Sequence, residues 1–111
     1  MASRKEYLEF VLGQIDLDGI TYRQMMGEYL LYRNGIILGG IYDDMLLVKP
    51  TKSAKEYMPD AELRPPYDGA KAMLFVDEVD DKEFLTGLFA AIYDELSAQK
   101  PSRKNNAPRQ A

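Results

Sequence analysis

From Tyr29 to Lys49 the chain reads YLLYRNGIILGGIYDDMLLVK, three apolar runs parted by Asn34-Gly35 and Asp43-Asp44. Short apolar runs separated by two-residue polar pairs are the pattern of strands joined by tight turns. Asn-Gly accepts positive φ at both central positions, which suits the type I′ turn whose twist matches that of its flanking strands. Asp43-Asp44 lacks the glycine and is the weaker turn signal. The stretch predicts a three-stranded antiparallel meander, with strands near 29–33, 36–42 and 45–49.

A two-residue turn at 34 and 35 pairs Arg33 with Ile36, and alternation along each strand then assigns every side chain to a face. One face carries Leu30, Tyr32, Ile37, Gly39, Ile41, Leu46 and Val48. It has no charge and is expected to pack under helices. The other carries Tyr29, Leu31, Arg33, Ile36, Leu38, Gly40, Tyr42, Met45, Leu47 and Lys49, far more apolar than a solvated face. Tyr29, Leu31, Leu38 and Leu47 on that second face are the candidate partner-binding residues, for another protein or for a second copy of the chain. Gly39-Gly40 is where a bulge would shift the register by one.

The flanks supply the helices. Ser3-Arg4-Lys5-Glu6 has the form of a capping box, and Tyr7, Leu8, Val11, Leu12 and Ile15 follow at helical spacing, predicting a helix over about 4–15. Asp16 to Gly19 break it, and the β-branched and aromatic stretch from Ile20 predicts a further strand, with Gly27-Glu28 read as a bulge or bend. Pro50 closes the meander, because it has no N–H for a ladder. Thr51 or Ser53 then caps a short helix through Tyr57, Ser53 and Glu56 again forming a capping box. Residues 59–70 hold three prolines and Asp68-Gly69 and are expected to be irregular, while Ala72 to Val76 reads as a fifth, buried strand. Phe84, Leu85, Leu88, Phe89, Ile92, Tyr93 and Leu96 form the apolar stripe of a last helix, capped by Asp80 or Asp81. The expected architecture is α+β: an antiparallel sheet of about five strands packed with N- and C-terminal helices in two layers.

Composition narrows the chemistry. A chain of 111 residues is one domain, and 46% hydrophobic with 29% charged residues are globular values. There is no His and no Cys, which removes the commonest general base, Ser-His and Cys-His nucleophile pairs and the usual structural zinc sites. No catalytic residue, cofactor, metal or small-molecule substrate is expected. The acids Asp77, Glu78, Asp80, Asp81 and Glu83 lack the spacing of a calcium loop and are read as helix-capping residues. No apolar run approaches a membrane span and no signal-peptide pattern opens the chain, so a cytoplasmic location is expected. All 18 acids but only 10 of the 14 basic residues fall in residues 1–99, which leaves that body at −8. An acidic body gains nothing from a phosphate backbone, so direct DNA binding by it is not expected. Residues 100–111, with Lys100, Arg103, Lys104 and Arg109 and almost no apolar residue, read as a disordered basic tail.

In order, SRKEYLEFVLGQI, ITYRQMMGEYLLYRNGIILGGIYDDMLLVKPT and PPYDGAKAMLFVDEVDD before a closing helix resemble the TfoX N-terminal domain family. That family is the amino-terminal half of the bacterial competence regulator TfoX, also called Sxy. The resemblance covers about residues 3–97, most recognisably Met26-Gly27-Glu28-Tyr29, Leu31-Tyr32 and Gly35, Asp43-Asp44 through Thr51, and Pro65 through Lys71. Full regulators carry a second, helical domain, whereas this chain passes into the basic tail, as a stand-alone member would. The resemblance implies a two-layer fold related to secretion-chaperone-like proteins and a part in regulating transcription, without enzymatic activity. The resulting expectation is a non-enzymatic regulatory or adaptor domain acting through protein contacts. The alternative is a weak nucleic-acid binder using the basic tail.

Overall fold

A computed structural model describes residues 3–99. The segment 100–111, with the tail expected there, lies outside the described residues. Three helices and six strands follow in the order α1 (Lys5–Gln14), β1 (Ile20–Met25), β2 (Glu28–Arg33), β3 (Ile36–Tyr42), β4 (Met45–Val48), α2 (Lys52–Tyr57), β5 (Leu63–Arg64), β6 (Met73–Val76) and α3 (Lys82–Gln99). The strands form one sheet in the order β1-β2-β3-β4-β6-β5, and every neighbouring pair is antiparallel. The fold is α+β in two layers, with β5 added to the expected strands.

Three two-residue turns build the first four strands. Asn34 and Gly35 have φ of 49° and 83°, the left-handed pair that a type I′ turn requires. Asp43 and Asp44 do the same at 53° and 58° without a glycine. The residues around them supply what glycine would have: Asp43 N–H donates to Glu28 Oε1 at 3.2 Å and Asp44 N–H to Ser3 Oγ at 3.1 Å. The third turn corrects the reading of Gly27-Glu28 as a bend. Met26 and Gly27 have φ of 53° and 84°, and Met25 pairs with Glu28 across them. A Met in a left-handed position carries no sequence signature, because the side chain gives no local hydrogen bond that would favour it.

The helix caps also differ from the capping-box pattern. The N-cap of α1 is Arg4, with no side-chain cap. Ser3 is buried, and its hydroxyl oxygen lies 2.5 Å from Glu28 Oε1, so it ties the chain start to β2 instead of capping the helix. On α2 the cap is Thr51, which accepts from Ala54 N–H at 3.1 Å. Ser53 N–H and Oγ both donate to Glu95 Oε1 of α3 at 2.6 Å, so a carboxylate from a neighbouring helix serves the first turn. Asp81 caps α3 as expected, its Oδ1 accepting from Phe84 N–H at 3.0 Å.

One core lies between the sheet and all three helices. Leu8, Val11 and Ile15 of α1 and its C-cap, Ala54 of α2, and Leu85, Leu88, Phe89 and Ile92 of α3 cluster with Tyr29, Leu31, Leu38, Ile41, Leu46, Val48, Leu74 and Val76. Thr86 Oγ1 stitches α1 to α3, donating to Gln14 O at 3.2 Å and accepting from Asp16 N–H at 3.0 Å. With every described helix on one side, the other side of the sheet has no helical cover among the described residues.

The register decides which residues face the helices, and it corrects the expected faces. Leu31 pairs with Gly39 while Tyr32 pairs with Ile37, so Leu38 is an extra, bulged residue. A bulge places two successive residues toward one side and reverses the alternation beyond it. Leu30, Tyr32 and Ile37, expected in the core, therefore lie on the open side, and Tyr29, Leu31, Ile36 and Leu38 lie toward the helices. From Gly39 onward the expected faces hold. Gly39 is required at the bulge, since a Cβ there would meet Leu47 O and come within 2.8 Å of Val48 Cα.

Candidate functional site

The four residues expected at a partner surface are all buried: Tyr29 at 5% exposure and Leu31, Leu38 and Leu47 at 0%. The first three belong to the helix-covered core. Leu47 is on the open side, between Gly40 and Phe75 of the adjoining strands. Arg64 lies over the Phe75 ring at 4.5 Å and donates to Met45 Sδ at 3.1 Å, spanning the two apolar neighbours of Leu47. Local packing by Arg64 thus closes the β4–β6 half of this face.

The β1–β3 half is different. Leu30, Tyr32 and Ile37 are half-buried, and no described helix lies over them. Beside them is a cleft of about 590 Å³ lined by Met25, Met26, Glu28, Leu30, Tyr42, Pro66 and Tyr67. Its walls come from two sources. The β1–β2 hairpin contributes the methionines, and the loop between β5 and β6 contributes Pro66 and Tyr67. Burial pushes the Tyr42 hydroxyl above its ordinary pKa of 10, and Tyr67, Glu28 and Tyr32 nearby push the same way. Tyr42 therefore stays a neutral hydroxyl in the cleft at physiological pH, and the apolar bodies around it dominate recognition.

Met26 is the unusual element of this rim. It combines a left-handed backbone with 95% exposure of a large apolar side chain. Both features oppose stability, the first through steric strain and the second through hydration of apolar surface. Tyr67, on the opposite wall, is 67% exposed. Unfavourable local choices concentrated at one place are characteristic of binding sites. The one sequence signal for this was the pair Met25-Met26 before Gly27, legible only if the glycine is read as the second residue of a tight turn.

Asp44 accepts from Arg4 N–H at 2.8 Å and Arg4 Nε at 3.0 Å, and the backbone hydrogen bond together with the guanidinium holds its carboxyl below the usual 3.8. Its role is to fasten the start of α1 to the β3–β4 turn. Among the described residues no three acidic side chains come together as a metal site. No described helix is long and apolar enough to cross a membrane.

These features define a two-layer α+β protein with an apolar, helix-free sheet face. No protein-family profile matches the chain, and no solved structure matches it. Over 80 residues the chain is 34% identical to the "Uncharacterized 12.7 kDa protein in trpE 5'region" of Spirochaeta aurantia, a match covering 71% of this chain and 70% of that protein. The chain belongs to the family of that protein.

Proposed function

We propose that this protein is a non-enzymatic regulatory or adaptor domain that works through protein–protein contact on the open half of its sheet. The carrying observation is that all three helices cover one face, while the other keeps Leu30, Tyr32 and Ile37 beside a cleft rimmed by exposed Met26 and Tyr67. An exposed apolar patch with a few polar groups in it is the ordinary mark of a protein-binding surface. Methionine suits it, since an unbranched thioether side chain repacks against differently shaped partners. The resemblance to the TfoX N-terminal domain is the ground for reading the contact as regulatory. The relative from Spirochaeta aurantia bears a name that states no activity.

The test is affinity capture from the source cells with the wild type and with a Met26→Asn/Tyr67→Ala double variant whose melting temperature is not lowered. The expected result is a specific partner held by the wild type and lost from the variant. Equal recovery by both would overturn the reading. Labelled DNA binding that weakens steeply with salt and disappears on removing residues 100–111 would move the function to the basic tail.

A further inference from the structure

The two edges of the sheet are built differently. Edge strand β5 has only two residues and runs directly into Pro65-Pro66, which cannot donate to an added strand. Edge strand β1 has six residues, Ile20–Met25, in unbroken register with β2, and all but Ile20 are exposed. It holds no proline, no bulge and no acid. Short edges, prolines, bulges and charges are the usual protections against strand addition. Arg23 is the single one present on β1.

The hydrogen-bonding phase of this edge follows from its turn. Met25 and Glu28 flank the two-residue turn and are therefore a hydrogen-bonded pair, so the bonded pairs continue through Arg23 and Thr21. Asn34 N–H donating to Gly19 O at 2.9 Å fits the same phase. The N–H and C=O groups of Ile20, Tyr22 and Gln24 consequently point away from the sheet.

We infer that this edge pairs antiparallel with β1 of a second copy of the chain, joining two six-stranded sheets into one. Charge and symmetry select the occupant. The body at −8 disfavours approach of two copies almost everywhere, but β1 presents no carboxylate. A two-fold axis at Tyr22 sets that residue opposite itself, Arg23 opposite Thr21 and Ile20 opposite Gln24, an arrangement without like charges and with an aromatic cross-strand pair. Shifting the pairing toward the turn confronts Arg23 with Arg23. Shifting it the other way sets Gln24 against Asp18, outside the strand. Of seven exposed large apolar side chains among the described residues, three are Tyr22, Met25 and Met26 of this edge and its turn. The inference rests on the edge alone and does not require that the open face bind a partner.

The chain has no cysteine, so a single Tyr22→Cys variant reads the register directly. Hydrogen-bonded partners in an antiparallel ladder are about 5.5 Å apart at Cα, inside the span of a disulfide. Under mild oxidation Tyr22→Cys should form a covalent dimer many-fold faster than Arg23→Cys, whose copy sits diagonally across the axis. Sedimentation should show concentration-dependent dimerisation of the wild-type chain. Gln24→Pro removes an outward N–H without touching the β1–β2 ladder, and it should be a folded monomer. A wild-type monomer up to about 1 mM overturns the inference. So does equal cross-linking of the two cysteine variants, or a dimer that persists undiminished in folded Gln24→Pro.

Discussion

On the helix side of the sheet Tyr29, Leu31, Leu38, Ile41, Leu46 and Val48 are buried together with the helices, whereas on the other side Leu30, Tyr32 and Ile37 are comparably apolar and stay half-buried. Hydrophobicity does not separate the two faces. What separates them is the placement of all three helices on one side, and what decides which residues land there is one extra residue in β3. A difference between two faces that is invisible in residue type must show in energetics, because only the covered face loses packed volume when truncated.

Neighbouring residues on either side of the bulge make the sharpest contrast. Leu38→Ala should cost about 2–5 kcal/mol in denaturant unfolding, the range for a buried leucine, while Ile37→Ala next to it should cost under about 1 kcal/mol. Equal costs would break the distinction between the faces. Gly39→Ala tests the bulge itself. The added methyl meets backbone of β4, which cannot rotate aside, so a loss of about 1–3 kcal/mol is expected in a thermal melt.

On the open side, Met26→Asn recreates the Asn-Gly turn found at 34 and 35. It should raise stability by about 0.5–1 kcal/mol, since Asn accepts a left-handed backbone better than Met. Stabilisation coupled to loss of partner binding sharpens the comparison, while a loss of stability would mean that Met26 packs somewhere.

The smallest effect belongs to the tether between the helix layer and the β3–β4 turn. Asp44 has a carboxyl pKa below its ordinary 3.8, held down first by the Arg4 backbone N–H. Its contribution is full above the unfolded-state value and is lost as pH falls through the lower folded value. Wild type should therefore exceed Asp44→Asn in melting temperature near neutral pH, with the gap closing below about pH 4.

Much of the fold was legible. The Asn34-Gly35 turn, the β3 span and the α3 stripe from Phe84 to Leu96 each combine a local signal with a matching long-range demand. Three features were not. Two-residue β5 has too few positions for any period. The Met26-Gly27 turn is built on a residue that normally avoids the required backbone. The bulge at Leu38 sits among apolar residues on both sides, so a register slip there changes no polarity pattern; Gly39-Gly40 marked the place but not which residue was extra. The candidate site follows the bulge: strict alternation yields a second apolar face but puts Tyr29, Leu31 and Leu38 on it, where the bulged register puts Leu30, Tyr32 and Ile37. The cleft itself depends on Pro66 and Tyr67 lining the same pocket as Tyr42 from a loop more than twenty residues away, a juxtaposition with no local trace.

The most direct measurement of the central claim is methyl NMR in the presence of a soluble paramagnetic probe. Leu30 and Ile37 methyls should broaden strongly and show no nuclear Overhauser contacts to helix side chains. Leu31 and Leu38 methyls should be shielded and show contacts to residues of α1 or α3. Shielding of Leu30 and Ile37 with contacts to those helices would contradict the account, since it would place a helix on the face described as open.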